Sequence, residues 1–167
     1  MGIRILVLLF LQSCWTTELF SQFDEQLCKK EEAIVFAFQL NNQKWVSVCK
    51  GKNEQYIVYR FGVQNKIELE YPKKLDSTSW QYFSFKGYNR GGGKQNAAMY
   101  YAFLNFSNNE ITYKVYQTWD SENDLEHCGV SVIINGKETG LKGVIRSIKG
   151  SLLSLLYNEK IHKEEEE

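Results

Sequence analysis

The residues best equipped for chemistry lie in the loop Gly87-Tyr88-Asn89-Arg90-Gly91-Gly92-Gly93-Lys94-Gln95-Asn96, where two cations flank three glycines. A planar guanidinium at Arg90 suits bidentate capture of a carboxylate, and Lys94 adds a point charge beside it. With Tyr88 and Asn89 they form a candidate binding set on a projecting finger. The loop is not a phosphate cradle. That motif, GxxxxGK[ST], requires glycine where Tyr88 stands and Ser or Thr where Gln95 stands. A second cluster, DSENDLEHCG, places Asp120, Glu122 and Asp124 at alternate positions and makes them weak calcium candidates. An EF-hand loop wants glycine at its sixth position, here Leu125, and Asp or Asn at its third, here Glu122. The segment therefore reads as a solvated hairpin loop.

Support for catalysis is thin. His127 and His162 are the only histidines. His127 and Cys128 are neighbours, so a strand points them to opposite faces, and they cannot act as base and nucleophile. There is no GxSxG elbow and no HExxH pair, and no Cys/His group has metal-ligand spacing. No cofactor is implied. Glu68 and Glu70 share one face of a cleanly alternating strand, which predicts solvent exposure rather than a carboxylate pair.

The elements that must position these residues are strands. Ile34, Phe36, Phe38 and Leu40 share a face at period two, and Val46 and Val48 return after a turn at Asn41-Asn42. Ile57, Tyr59 and Phe61 follow, then Ile67, Leu69 and Tyr71, ended by Pro72, the only proline. Aromatic strands are expected over Trp80 to Tyr88 and Ala97 to Phe106. Ile111 to Trp119 comes next. Val130 to Ile134 then runs into Asn135-Gly136, a strong hairpin signal, with a return over Glu138 to Ile145. About eight to ten short strands with turns between them predict an all-β antiparallel barrel or sandwich. Ser151 to Tyr157 is the one helix candidate, a short C-terminal piece. Residues 22–158 read as a single β-domain, and residues 159–167, with five Glu and a terminal KIHKEEEE read as lacking core-forming residues, as a disordered acidic tail.

The first 21 residues have the layout of a secretory signal peptide: Arg4, an apolar run from Ile5 to Leu11, and a small exit residue, Ser21. The run is too short for a transmembrane helix, which needs roughly 20 apolar residues. The expected address is outside the cytoplasm, secreted or periplasmic. The alternative is a lipobox at Leu11-Gln12-Ser13-Cys14, which would make Cys14 a lipid-anchored N-terminus. Beyond residue 21 the cysteines are Cys28, Cys49 and Cys128. An odd number permits one internal disulfide and leaves one thiol. Cys49 is expected to join one of the other two, although simple register does not set it opposite Cys28. Twenty basic and twenty acidic residues give a net charge of zero, which argues against nucleic acid as a partner.

The segments around Cys49, Tyr59-Arg60-Phe61-Gly62 and Glu68-Leu69-Glu70-Tyr71-Pro72 resemble secreted β-proteins of Gram-negative, Bacteroidetes-like bacteria, over roughly residues 28 to 145. That resemblance implies export and a β-fold and brings no activity with it. At the level of architecture the chain is also similar to periplasmic β-barrel inhibitors of lysozyme, which carry a loop that enters an enzyme cleft. The expected function is a binding protein, not an enzyme. The first form is an inhibitor or immunity-type protein whose Arg90 and Lys94 enter the carboxylate-lined cleft of a cell-wall hydrolase. The second is a carbohydrate-binding module using Tyr88, Tyr100, Tyr101 and Tyr116 as a stacking platform. The third is a purely structural secreted protein.

Overall fold

The structure, a computed structural model, describes residues 26–165. The expected leader, Cys14, Glu166 and Glu167 lie outside the described residues.

Two sheets face each other. The first is ordered β10-β1-β2-β3-β4, from β1 (Ala33–Gln39), β2 (Trp45–Lys50), β3 (Ile57–Val63), β4 (Lys66–Tyr71) and the short β10 (Lys149–Gly150). The second is ordered β11-β5-β6-β7-β8-β9, from β5 (Ser84–Arg90), β6 (Met99–Asn108), β7 (Ile111–Asp120), β8 (Leu125–Ile134), β9 (Lys137–Lys142) and β11 (His162–Lys163). All pairings are antiparallel except β11 with β5. This is the expected all-β architecture in its sandwich form and not a closed barrel. The sheets meet at one corner, where Leu40 bridges Gly143 and the Val144 amide donates to Gln39 O. No strand belongs to both ladders.

Aromatic rings fill the space between the sheets. Tyr59 from β3 packs on Phe106 and Tyr113 of the opposite sheet, and Tyr71 from β4 lies parallel to Phe106 at 4.8 Å. The period-two faces read from the sequence hold for Phe36, Phe38, Val46, Val48, Ile57 and Tyr59, all buried. They fail at Ile34. A bulge between Ile34 and Phe36 shifts the register, so Ile34 turns to the outer face beside Leu27, Ala37 and Trp45.

Three further expectations are corrected. Trp80 does not begin a strand; it lies in a 3₁₀ turn over Ser77–Tyr82, whose Asp76 side chain accepts the Thr78 amide as an N-cap. The C-terminal helix reduces to a 3₁₀ turn over Leu152–Leu155, which buries Leu152 and Leu155 in the core. The acidic tail is ordered as far as Glu165. Ile161 is 3% exposed, β11 pairs with β5, and Lys160 donates to Glu54 O. One apolar residue, one strand edge and side-chain hydrogen bonds from Lys160 and to Glu164 hold it.

The outer face of the first sheet carries a buried charge. Arg60 on β3 is fully enclosed, covered by the segment Leu27 to Glu32 folding back across β2 and β3. Its Nη1 and Nη2 donate to Glu32 at 2.5 and 2.9 Å, its Nε to Glu70 at 2.7 Å, and Nη1 also to Leu27 O at 3.2 Å. Glu32 accepts further bonds from the Tyr56 hydroxyl and the Lys29 amide. The expectation of two exposed glutamates therefore holds for Glu68, which pairs with Lys44, and fails for Glu70. The Cys28–Cys49 disulfide fastens the same segment. Burial alone would raise the Glu32 pKa, but hydrogen bonds from Arg60, the Lys29 amide and Tyr56 outweigh it and hold the carboxyl below its ordinary 4.5.

Removing one partner of a buried pair strands the other charge and costs about 3–5 kcal/mol. Arg60→Met should lower the melting temperature by an amount matching that loss. A carboxylate with a lowered folded pKa stabilises above its unfolded pKa, and that contribution is lost as pH falls through the folded value. Wild type should therefore melt progressively lower below about pH 4.5, and Glu32→Gln should flatten that slope. A thermal melt series from pH 3 to 7 checks both, and an unchanged slope in the variant would refute the assignment.

Candidate functional site

The Gly-rich loop joins β5 to β6, and residues 91–96 are all exposed. The four residues of the expected set do not act as one cluster. Strand alternation sends Asn89 to the inner side, opposite Tyr100, and Tyr88 and Arg90 to the outer side, opposite Tyr101 and Met99. Arg90 is half-buried and donates its Nε to Ala97 O at 3.1 Å, so part of its guanidinium closes the base of the loop. Lys94 stays in solvent at the tip. A Cβ added at Gly91 or Gly93 would meet no atom within 4 Å, so crowding does not require either glycine.

The acidic loop is held by its own contacts. Asp120 accepts from the amide and side chain of Asn123, and Asp124 accepts from Trp119 Nε1 at 3.3 Å. Asp120, Glu122 and Asp124 do not gather their ligand atoms. Among the described residues the one group with metal-like proximity is Cys28, Glu32 and Cys49, whose sulfurs are already bonded to each other.

Cys49 pairs with Cys28, and Cys128 is the remaining thiol. Alternation explains the choice. Cys49 lies on the outer face of the first sheet with Ser47, and Cys128 lies on the inner face of the second, opposite Gln117. The body of the first sheet separates them. Cys28 arrives through the folded-back segment, whose Leu27 amide donates to Ser47 Oγ at 3.0 Å. Strand register alone carries no sign of that path. The disulfide is compatible with an extracellular or periplasmic compartment, and among the described residues no helix is long and apolar enough to cross a membrane. Burial, with the nearby Glu126 charge, pushes the Cys128 thiol up to about 12. His127 lies on the other face, exposed.

The tyrosines divide in the same way. Tyr100 points inward, lies parallel to Trp119, and donates to Glu126 at 2.8 Å; Gln117 Nε2 donates to the same carboxylate at 3.0 Å. Gln117 Oε1 accepts from Ser151 Oγ and the Leu152 amide, so this cluster anchors the C-terminal turn. Tyr100 therefore leaves the expected platform. The outer face of the second sheet keeps the others and adds one residue missed from the sequence, Phe103. Its rows run Tyr88-Tyr101-Thr118 and Lys86-Phe103-Tyr116. The Tyr88, Tyr101 and Phe103 rings follow one another at 5.7 and 5.6 Å, tilted by 25° and 29°. Lys114 Nζ sits 6.0 Å over Phe103. Tyr116 lies down across Gly129, where any Cβ would collide with its ring. All four aromatics are half-buried, leaving part of each ring to solvent.

The strip continues at both ends. Toward Arg90 it reaches the Gly-rich loop. Toward Ser84 it reaches a cleft of about 620 Å³ lined by Tyr82, Asn105, Lys114 and Glu164. No protein-family model matches the chain, and neither a curated protein nor a solved structure matches it.

A thiol this deeply placed is protected from reagents that need thiolate. In the folded chain from Gln22 onward, Cys128 should resist a disulfide-exchange reagent at pH 8 and release one equivalent on unfolding without reductant. Rapid labelling of the folded protein would contradict the burial.

Proposed function

We propose that this is an exported, non-enzymatic glycan-binding protein whose contact surface is the outer face of the six-stranded sheet. The observation that carries the reading is the contiguous run Tyr88, Tyr101, Phe103 and Tyr116. Half-exposed rings on a rigid sheet offer apolar area at low entropic cost, and polar groups at their margin fix orientation. Lys86 and Lys114 supply those groups on this face. A strip extended along β5 and β6 fits a chain of sugar rings better than one compact ligand.

The second reading, inhibition of a cell-wall hydrolase, is favoured by one observation. The tip from Gly91 to Asn96 is fully exposed, carries Lys94, and has glycines at 91 and 93 that packing does not demand. It relies less on Arg90, whose Nε is already spent on Ala97.

Titration calorimetry with tetrameric glycans separates the two. Losing one stacked ring costs about 1.4 kcal/mol, or tenfold in Kd. Tyr101→Ala should therefore weaken binding about tenfold, and Arg90→Ala with Lys94→Ala should change it less than threefold. Wild-type protein that binds no glycan, yet inhibits a muramidase in a manner abolished by the double variant, would replace the first reading with the second.

A further inference from the structure

The cleft at the Ser84 end of the strip has chemistry that the aromatic run does not. We propose that it is a subsite for the acetamido group of an N-acetylated amino sugar, an inference that rests on the glycan-binding reading above. Three features converge there. Tyr82, from the 3₁₀ turn before β5, is 51% exposed and meets Tyr71 edge-on at 6.1 Å and 79°, giving one apolar wall. Asn105, on the outer face of β6, donates its Nδ2 to Glu164 at 2.9 Å, while its buried Oδ1 has no hydrogen-bond partner among the described residues. Lys114, opposite Asn105 on β7, brings an ammonium to the same cleft.

Each feature specifies a complement. An orphaned amide oxygen calls for an N–H or O–H donor, because a buried acceptor left unpaired is costly. An ammonium has three donors and no acceptor, so it calls for a carbonyl or hydroxyl oxygen. An aromatic wall calls for an apolar face. An acetamido group carries N–H, C=O and methyl within one planar unit and supplies all three. A plain hexose lacks the methyl and the amide. A carboxylated sugar would meet the Glu164 carboxylate in the same wall.

Oδ1 lies beneath the surface, so Asn105 must turn outward to meet the ligand, giving up its Nδ2 bond to Glu164 and gaining a partner for Oδ1. Glu164 also accepts from the Ser84 hydroxyl, which keeps the carboxylate in the wall when Asn105 turns. It directly follows β11, with its amide donating to Phe85 O, so the C-terminal segment forms one side of the subsite.

The test compares three β-1,4-linked tetramers by calorimetry: N-acetylglucosamine, glucose and fully deacetylated glucosamine. The acetylated tetramer should bind at least tenfold more tightly than either other. Lys114→Met and Asn105→Leu should each cut the acetylated tetramer's advantage over the glucose tetramer to within about threefold. Lys114→Met is the control against misfolding, since among the described residues the half-buried lysine makes no hydrogen bond or ion pair and loses only its place over Phe103; its melt should stay close to wild type. Tyr101→Ala should weaken all tetramers alike. Equal wild-type affinities, or preference for the deacetylated tetramer, would overturn the acetamido subsite and leave the glycan reading standing. No binding of any tetramer would overturn that reading together with the inference.

Discussion

An arginine with no exposed surface constrains this protein more than any other single residue. Arg60 sits at the middle of β3, on what would be the solvent face of the first sheet, and its charge must be matched there. Glu70 from the adjacent strand supplies one carboxylate. Glu32 supplies the other and is delivered by a segment outside every strand. The disulfide fixes that segment to β2, the neighbour of the strand whose end meets the second sheet. A buried pair is weak evidence for net stability, because desolvation offsets much of the attraction. Its consequence is specificity of arrangement: a chain that fails to bring Glu32 across β2 and β3 leaves a bare guanidinium inside.

That cover makes the two sheets unequal. The first sheet is buried on both faces near Arg60, by the aromatic core on one side and by the folded-back segment on the other. Among the described residues the second sheet is covered on its inner face only. Its outer face keeps a band of half-exposed rings among lysines, lapped at its edge by β11. The proposed glycan surface is this face, which no described segment covers. The inner polar cluster of Tyr100, Gln117 and Glu126 serves a different need, because it pairs the groups that tie the C-terminal turn to β7.

Most of the ladder was legible from alternation. Phe36, Phe38, Val46, Val48, Ile57 and Tyr59 fell on the faces that period two assigns them, and Asn135-Gly136 formed the expected tight hairpin, with both residues at positive φ. Errors arose where a single residue broke the period or where a distant segment supplied the partner. The bulge after Ile34 reversed one side chain. Glu70 looked like a solvent residue because its partner's burial depends on a cover drawn from residues 27–32. The Gly-rich loop drew attention as a cationic finger, yet Arg90 proved half-committed to its own backbone. The aromatic face was legible only as an excess of tyrosine, since composition does not tell Tyr100 from Tyr101. Their assignment to opposite faces follows once β5 and β6 are in register.

The sequence by itself determined the β class, the sites of most turns, and a leader-like start followed by three cysteines. These depend on local residue order, on period two and on the chemistry of tight turns. Tertiary structure alone decided the sandwich over a barrel, Cys28 over Cys128 as the partner of Cys49, the ordering of residues 159–165, and the gathering of Tyr82, Asn105, Lys114 and Glu164 around one cleft. The physical reason is common to all four. Each depends on segments far apart in the chain competing for the same buried surface, and no local pattern records which of them arrives.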